Sequence, residues 1–274
     1  MVWGSSYILI KKGLVAYNPV QLACLRVSLS GLAFFPIYFM YRSKVDWKNW
    51  KYFLVVGLGG TFIPAFLYSL AQTKLNSSIT GVLGALTPLN TILIAVLFFK
   101  VNAKRNEWIG VILGLIGALV LILFGSSIEW QNSLFYGALV FIATACYGLS
   151  SNTVKAKLQD VNPLALSAAA FVMIVPPALA LLPIIGAQDV LMNHPQGWES
   201  LGYITLLSLL GTAMASILFF YLVQRTNPIF ASTVSYLIPI IALGWGHVDH
   251  EVIGWGHLIG MIIILYGVYL TRQK

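Results

Sequence analysis

The sequence has little charge and no long polar segment. Only 9% of its 274 residues are charged, whereas about 25% are charged in a typical soluble domain. Hydrophobic residues make up 59% of the chain, and the mean hydropathy is +0.86. This composition excludes an ordinary soluble globular domain and predicts a chain that crosses a membrane many times.

Carboxylates are absent from the middle of every long apolar segment. All eight lie in loops or at segment ends: Asp46, Glu107, Glu129, Asp160, Asp189, Glu199, Asp249 and Glu251. A carboxylate proton relay inside the membrane, as in many pumps and transporters, therefore has no obvious residue. The pattern favours a facilitator or an exchanger, or coupling through Glu251 or a histidine. No catalytic constellation is present, so no enzyme activity is expected.

Cysteine is also scarce. Cys24 and Cys146 both fall inside apolar segments, and they indicate neither a disulfide framework nor a metal site. The formal net charge of +8 comes from short Lys/Arg groups between the apolar segments, without basic clusters that contain aromatic residues. Nucleic acid, a metal and a cofactor are therefore not expected. The expected partners are a lipid bilayer and a small-molecule substrate, and no cleavable signal peptide is visible.

What the chain does contain is a series of apolar segments of the length that a membrane requires. About 20 residues cross the hydrocarbon core as a helix. The resulting prediction is an all-α polytopic protein with ten transmembrane helices, near residues 1–16, 19–41, 50–72, 77–99, 106–124, 133–157, 163–187, 199–222, 228–248 and 252–271.

The distribution of Lys and Arg predicts the orientation. With a cytoplasmic N-terminus, three of these residues face outwards: Lys11, Lys12 and Lys74. Twelve face inwards: Arg42, Lys44, Lys48, Lys51, Lys100, Lys104, Arg105, Lys155, Lys157, Arg225, Arg272 and Lys274. Positive residues concentrate on the cytoplasmic side of membrane proteins. Both termini are therefore predicted to lie in the cytoplasm, with the protein in a bacterial inner membrane.

The second half of the chain repeats the spacing of the first. Asn76 precedes Pro88 by 12 residues, and Asn227 precedes Pro239 by the same number. Each half contains five spans, so the second half enters the membrane in the opposite sense, as in many secondary transporters. The predicted units are 1–126 and 132–274. Trp3 matches Tyr147, which lies far deeper in its helix, so helix 1 is expected to be truncated and preceded by further residues.

Several short motifs carry a family resemblance: Trp3-Gly4-Ser5-Ser6, Pro19 to Arg26, the Ala/Ser-rich run to Pro88, Tyr147-Gly148, Asn227-Pro228 to Pro239, and Glu251 before Gly260. On these residues the chain resembles a ten-helix, EamA-type member of the drug/metabolite transporter superfamily. The resemblance implies a cavity enclosed by helices 1–4 and 6–9, with helices 5 and 10 at the periphery. It also implies export or exchange of amino acids, other small metabolites or drugs. Glu251 has no first-half counterpart, because Val101 stands there.

Arg26 is the charge that lies well inside a span, about two turns into helix 2. An ionisable group at this depth is costly and usually functional, for example as a contact for a substrate carboxylate or phosphate. The alternative is that its long side chain reaches the outer headgroups. Pro88 and Pro239 also have two interpretations. They free carbonyls or form a hinge at the cavity, or they are tolerated packing kinks.

Aromatic and amide side chains supply the other predicted contacts of the substrate. Each aromatic residue has an alternative place in an interfacial belt or a helix contact. Beside Arg26 and the two prolines, the candidate substrate-binding residues are Trp3, Ser6, Tyr68, Gln72, Asn76, Thr80, Tyr147, Ser151, Asn152, Tyr221, Ser232 and Tyr236.

Two further patterns concern the last helices. His250, Glu251 and His257 are candidates for coupling or gating, since histidine titrates near neutral pH, although a structural role is the alternative. Gly110-Val-Ile-Leu-Gly114 in helix 5 and Gly256-His-Leu-Ile-Gly260 in helix 10 are GxxxG motifs, which favour close helix packing or a homodimer seam.

These observations predict a transporter that moves small organic metabolites, amino acids among them, by alternating access around a midplane cavity. Two alternatives remain open. One is an intramembrane enzyme that acts on lipid with His250 and Glu251 as acid and base. The other is a membrane scaffold without transport activity. The substrate, the direction of transport and the coupling ion do not follow from the sequence.

Overall fold

The structure is a computed structural model that describes residues 2–125 and 130–271. Glu129, Arg272, Lys274 and the predicted boundary at residue 126 lie outside the described residues. Helices form the described parts of the chain, and no strand occurs there. The α-helices are α1 (Val2–Gly13), α2 (Pro19–Tyr41), α3 (Trp50–Gly57), α4 (Ile63–Ala71), α5 (Ser77–Gly84), α6 (Thr87–Phe99), α7 (Arg105–Gly125), α8 (Trp130–Lys157), α9 (Pro163–Ile184), α10 (Ala187–Asn193), α11 (Gly197–Leu206), α12 (Ala215–Arg225), α13 (Pro228–Ser232), α14 (Ile238–Val248) and α15 (Trp255–Leu270).

Among the described residues, seven helical stretches are long and apolar enough to cross a membrane, or eight if the bent pair α5 and α6 counts as one span. The structure therefore confirms an all-α polytopic membrane fold, but it does not confirm the count of ten. Two of the predicted spans are shorter, since α1 has 12 residues and α15 has 16. A helix rises about 1.5 Å per residue, so neither reaches the 30 Å of a hydrocarbon core.

Two Asn-Pro pairs, Asn18-Pro19 and Asn162-Pro163, mark the starts of α2 and α9. The Asn18 side chain accepts hydrogen bonds from the backbone N–H groups of Val20 and Gln21, and the Gln21 side chain accepts one from the Asn18 backbone. The Asn162 side chain accepts hydrogen bonds from the N–H groups of Leu164 and Ala165 at the start of α9, and proline begins both helices. Proline suits the first turn because its missing N–H is not needed there. Local sequence therefore fixes where these helices begin.

Four interruptions occur within the predicted spans. The chain is π-helical over Leu58–Phe62, between α3 and α4, and over Leu207–Met214, between α11 and α12. The α5 and α6 axes differ by 42°, and Pro88 lies at the start of α6. A 3₁₀ segment, Thr233–Leu237, separates α13 from α14, which begins next to Pro239. π-helical turns are rare and often occur at functional sites.

Helices α7 and α15 pack closely through glycine. A Cβ atom on Gly110 would lie 2.4 Å from the Gly267 carbonyl oxygen, and one on Gly260 would lie 2.7 Å from the Leu121 Cβ. Such approaches need residues without a side chain. These glycines, including Gly110 and Gly260 of the two GxxxG motifs, therefore form a helix–helix contact within one chain. A homodimer remains a prediction, and it would have to use other faces of the two helices.

The largest buried cluster joins helices from both halves of the chain. Leu22, Leu121 and Ile204 are fully buried in it, together with Ile10 and Leu83. This cluster holds the two halves against each other around the cavity described below.

The short helix α10 was not predicted. It follows Gly186, whose φ of 68° ends the preceding helix in the left-handed conformation that favours glycine.

Candidate functional site

A cavity lies between the two halves of the described chain. It holds about 810 Å³ of space free of protein atoms, a figure that includes its open mouth. Its walls come from α1, α2, both π-helical segments, α4, α6, α8, α12, the 3₁₀ segment and α14. None of its described lining residues comes from α7 or α15, as the family resemblance implied, and none comes from α9. The lining residues are Trp3, Ser6, Tyr7, Ile10, Arg26, Gly60, Tyr68, Thr87, Tyr147, Ser150, Gly211, Thr212, Ser216, Phe219, Phe220, Ser235 and Ile238.

Arg26 is the charged residue of this lining. It is 7% exposed, and its Nε donates a hydrogen bond of 2.9 Å to the hydroxyl of Thr212 in the second π-helical segment. A side chain that reached the headgroups would not be bound across the cavity in this way. No described carboxylate lies within salt-bridge distance of the guanidinium. The cavity therefore contains a buried positive charge that no described carboxylate balances.

Three tyrosines line the cavity near Arg26. The Tyr7 and Tyr68 rings meet edge to face at 5.6 Å, and the Tyr68 and Tyr147 rings stack at 6.0 Å. Tyr147 interacts electrostatically with Arg26 through its hydroxyl. The buried Tyr68 hydroxyl has no hydrogen-bond partner of ordinary geometry among the described residues. This part of the cavity therefore offers hydroxyl groups beside a cation.

Another part of the lining is apolar. The Trp3 ring meets the Phe219 ring at 5.2 Å, and the Trp3 Nε1 donates a hydrogen bond of 3.0 Å to the Gly211 carbonyl oxygen. Phe220, Ile10 and Ile238 also line the cavity. Trp3 and Arg26 thus bind neighbouring residues of the second π-helical segment. The cavity combines a buried positive charge with a largely aromatic apolar surface.

Five of the predicted substrate-binding residues line this cavity: Trp3, Ser6, Arg26, Tyr68 and Tyr147. The others lie elsewhere among the described residues. Asn76 precedes α5, and the Thr80 hydroxyl donates to the Asn76 carbonyl. Ser151 and Asn152 both donate to the Gly148 carbonyl within α8.

The remaining predicted residues also lie outside the lining. Tyr221 is 48% exposed, Ser232 donates to the Ile229 carbonyl, and Tyr236 donates to the Val268 carbonyl of α15. The buried Gln72 side chain has no hydrogen-bond partner among the described residues. Pro88 and Pro239 are buried at helix starts, and it is their neighbours Thr87 and Ile238 that line the cavity. The two prolines position the lining instead of forming it.

The sequence did not reveal the contributions of Thr212, Ser216, Phe219 and Phe220. All four lie on or after the second π-helical segment. An α-helical projection of residues 199–222 places them on the wrong relative faces, because the π turn adds one residue per turn. Gly211 is the residue of this segment that could have indicated its place at the cavity. A Cβ atom there would lie 2.8 Å from the Ser6 hydroxyl, so a small residue is needed where two cavity walls meet.

Glu251 occupies a separate polar cluster at one end of the bundle. Its Oε1 accepts hydrogen bonds from Lys11 Nζ at 2.7 Å, from Ser77 N at 3.1 Å and from Ser77 Oγ at 2.8 Å. Its Oε2 accepts from Ser78 N at 3.0 Å and Ser78 Oγ at 2.5 Å. The carboxylate therefore caps the N-terminus of α5, where negative charge is favourable. It connects α1, α5 and the loop after α14.

Asp249 extends this cluster to a second lysine. Its carboxylate lies 2.6 Å from Lys11 Nζ and 2.5 Å from Lys12 Nζ. Burial alone raises the pKa of Glu251, but the hydrogen bonds from Lys11, Ser78 and Ser77 outweigh it and hold that pKa below its usual value. The pKa of Asp249 is likewise lowered, since Lys11 and Lys12 outweigh its slight burial. Both groups are therefore charged at neutral pH.

The two histidine candidates differ in environment. His250 is exposed and has a φ of 58°, a conformation that side-chain-bearing residues seldom adopt. His257 is buried, its Nδ1 accepts a hydrogen bond from the Gly254 N–H, and its Nε2 has no partner among the described residues. Within residues 2–125 and 130–271, no group of three or more His, Cys, Asp or Glu residues could hold a metal ion.

Comparison with known proteins gives consistent matches over the whole chain. The sequence pattern of the EamA-like transporter family matches residues 1–123 and 134–273. An uncharacterised transporter of Archaeoglobus fulgidus is 22% identical over 274 residues, which cover 99% of this chain and 95% of that protein. The inner membrane transporter YedA of Escherichia coli K12, also uncharacterised, is 23% identical, with coverage of 100% and 90%.

A third relative has a more specific name. The "Probable amino-acid metabolite efflux pump" of Salmonella typhimurium LT2 is 27% identical, with 99% of this chain and 91% of that protein covered. One solved crystal structure superimposes on 99% of this chain and 92% of its own, with a TM-score of 0.64 and 16% identity, which indicates a shared fold. This chain belongs to the EamA-like transporter family and is a multi-pass membrane transporter.

Proposed function

We propose that this transporter moves small organic metabolites, amino acids among them, by alternating access around the cavity between its two halves. The observation that carries the proposal is that cavity, whose lining combines a buried cation with aromatic rings. The amino-acid metabolite efflux pump among the relatives supports this substrate range. Transport would follow from rocking of two inverted five-helix units, near 1–126 and 132–274, about this space.

The mode of transport follows from the charges that the spans carry. No carboxylate belongs to the cavity lining, and Glu251 is occupied by five hydrogen bonds at one end of the bundle. A facilitator or an exchanger therefore fits better than a carrier driven by a proton relay in the cavity. The Lys/Arg distribution supports a cytoplasmic location for both termini, as positive residues favour that side.

The geometry weighs against a lipid-modifying enzyme. Such an enzyme would need Glu251 as a free base or acid beside His250. Instead, Glu251 is fixed by Lys11, Ser77 and Ser78, and the exposed His250 forms no side-chain hydrogen bond or ion pair with it. These two residues fit a structural connection better than an acid–base pair. We therefore propose transport without chemical change of the substrate.

Reconstituted protein tests the proposal. Detergent-solubilised protein is first screened by thermal shift against amino acids, organic acids, nucleotides, sugars, polyamines and cationic drugs. A ligand at 100 times its dissociation constant stabilises the folded state by about 2.7 kcal/mol. Each hit is then followed by counterflow into proteoliposomes, with empty liposomes as the blank. We expect saturable counterflow of at least one hit. If no solute of the panel moves faster than in empty liposomes under any gradient, the proposed function is wrong.

A further inference from the structure

The charge of the cavity indicates the charge of its substrate. Arg26 is the ionised group of the lining at neutral pH, and none of the described lining residues is a carboxylate. A buried charge without a counter-charge is unfavourable in a medium of low polarity. A bound anion would supply the missing counter-charge. A bound cation would be repelled by Arg26, and the ammonium group of a zwitterion would find no carboxylate among the described lining residues.

The donors near Arg26 suit a carboxylate. The guanidinium has five N–H donors, and Thr212 accepts the one from Nε. The terminal N–H groups remain to form paired hydrogen bonds with two oxygen atoms, a geometry that arginine and carboxylate share. The hydroxyl of Tyr147 is the nearby group that interacts with the guanidinium. The buried Tyr68 hydroxyl, which has no partner of ordinary geometry, is a further donor in the same lining.

The apolar part of the lining limits the rest of the substrate. Trp3, Phe219 and Phe220 present aromatic surface there. None of these three residues carries a charge. An apolar or aromatic substituent would bury its surface against these rings, which is favourable in proportion to its area.

We propose that the substrate is a small organic anion whose carboxylate binds Arg26 beside Tyr147 and whose apolar part packs against Trp3 and Phe219. The site prefers such an anion to the zwitterionic amino acid of the same skeleton. This inference rests on the proposed transport function and narrows its substrate class. Arg26 contacts the substrate directly, and Thr212 is a positioning residue that orients the guanidinium.

Three compounds with one skeleton and different charges test the inference. They are 3-phenyllactate with charge −1, phenylalanine with net charge 0 and phenylalaninamide with charge +1. Their dissociation constants are measured by titration calorimetry on the detergent-solubilised protein, and each compound then competes in counterflow. We expect phenyllactate to bind at least tenfold more tightly than phenylalanine, and phenylalaninamide to give no measurable binding.

Two variants and a control assign the preference to Arg26. Arg26→Gln should weaken phenyllactate binding at least tenfold and remove the preference over phenylalanine. Arg26→Lys keeps the charge but not the paired geometry, so an intermediate loss is expected. Ser167→Ala is the control, because Ser167 is buried on α9 outside the cavity and its hydroxyl has no partner among the described residues. Thermal unfolding of each variant verifies that it is folded.

The outcomes separate this inference from the proposed function. If phenylalanine or phenylalaninamide binds as tightly as phenyllactate, or if Arg26→Gln binds phenyllactate like the wild type, the anion inference is wrong while transport stands. If none of the three binds but neutral or cationic solutes undergo counterflow, the inference is again overturned. If nothing in the broad panel moves, the proposed function itself fails.

Discussion

The two ends of the helix bundle are connected by different interactions. The proposed repeat pairs Lys11 with Lys155, at an offset of 144, and Val101 with Glu251, at an offset of 150. At the first end, Lys11 binds two carboxylates, those of Asp249 and Glu251. At the second end, Lys155 donates instead to the Gln224 carbonyl oxygen at 3.3 Å. Valine at position 101 supplies no carboxylate there.

The glutamines at the ends of the third and eighth predicted spans reverse this difference. Gln224 donates hydrogen bonds of 2.8 and 2.7 Å to the carbonyls of Leu158 and Val161. Gln72, which lies 152 residues earlier, has no hydrogen-bond partner among the described residues. One end is therefore connected by ion pairs with two carboxylates. The other is connected by one lysine bond to a carbonyl and two neutral hydrogen bonds, which are about half as strong as charge-assisted ones. In the proposed alternating-access cycle, this difference favours the state in which the Glu251 end is closed.

The largest effect is expected from Glu251→Gln. The change removes the buried charge that five donors share, although the amide oxygen still accepts some of these bonds. Hydrogen bonds to a charged group contribute about 1.5–3 kcal/mol each, so we expect closure of this end to weaken by about 2–3 kcal/mol. This energy corresponds to roughly a 30- to 150-fold change in the ratio of closed to open states.

Cysteine labelling measures this change. In a background with Cys24→Ala and Cys146→Ala, Thr87→Cys reports on entry of a membrane-impermeant maleimide into the cavity. Glu251→Gln should increase labelling from the side that carries Lys11. Asp249→Asn is the matched control and should have a smaller effect, because the Asp249 side chain is 17% exposed and that of Glu251 is 3% exposed. Equal labelling in the two variants would show that Glu251 contributes no more than Asp249 to the closure of this end.

A smaller effect is expected from pH. The pKa values of Glu251 and Asp249 are lower in the folded protein than the ordinary values of 4.5 and 3.8. Their stabilisation is therefore complete above those ordinary values and is lost as the pH falls through the lowered, folded-state values. Thermal stability of the wild type should be level between pH 5.5 and 8 as far as these groups are concerned, and it should fall below about pH 4.5. Glu251→Gln should show a shallower acid decline; an identical decline would show that Glu251 does not contribute.

The smallest effect is expected from Val101→Glu. The change places a carboxylate at the position that the repeat pairs with Glu251. Val101 is 46% exposed, and exposed ion pairs contribute up to about 1 kcal/mol. We expect a slight rise in melting temperature and slower counterflow, since both ends would then be connected by charge. Lys155→Met in the same chain should cancel both changes. If the rise in melting temperature persists after Lys155→Met, an interaction between the new carboxylate at position 101 and Lys155 is not its cause.

The sequence predicted those features of the fold and the site that depend on residues close together in the chain. The second and seventh spans begin where they were predicted, at residues 19 and 163, because the caps Asn18 and Asn162 act within three residues. Arg26 stood out because a charge inside an apolar span is rare. The contacts of Glu251 with Lys11 and Ser77 join residues 240 and 174 positions apart, so they depend on how the helices pack. Thr212 and Phe219 were missed because a π-helical turn changes which face a residue occupies.

That π-helical turn has a consequence for how the protein tolerates changes in its length. Each π-helical turn holds one residue more than an α-helical turn. Removing one residue from Leu58–Phe62 or from Leu207–Met214 would therefore let the turn become α-helical and leave the rest of the helix in nearly the same orientation. If such a segment became α-helical without losing a residue, the rest of the helix would instead rotate by about 100°. Tyr68 in the first case, and Ser216 and Phe219 in the second, would then face away from the cavity. The orientation of an entire wall therefore depends on the hydrogen-bond pattern of a single turn.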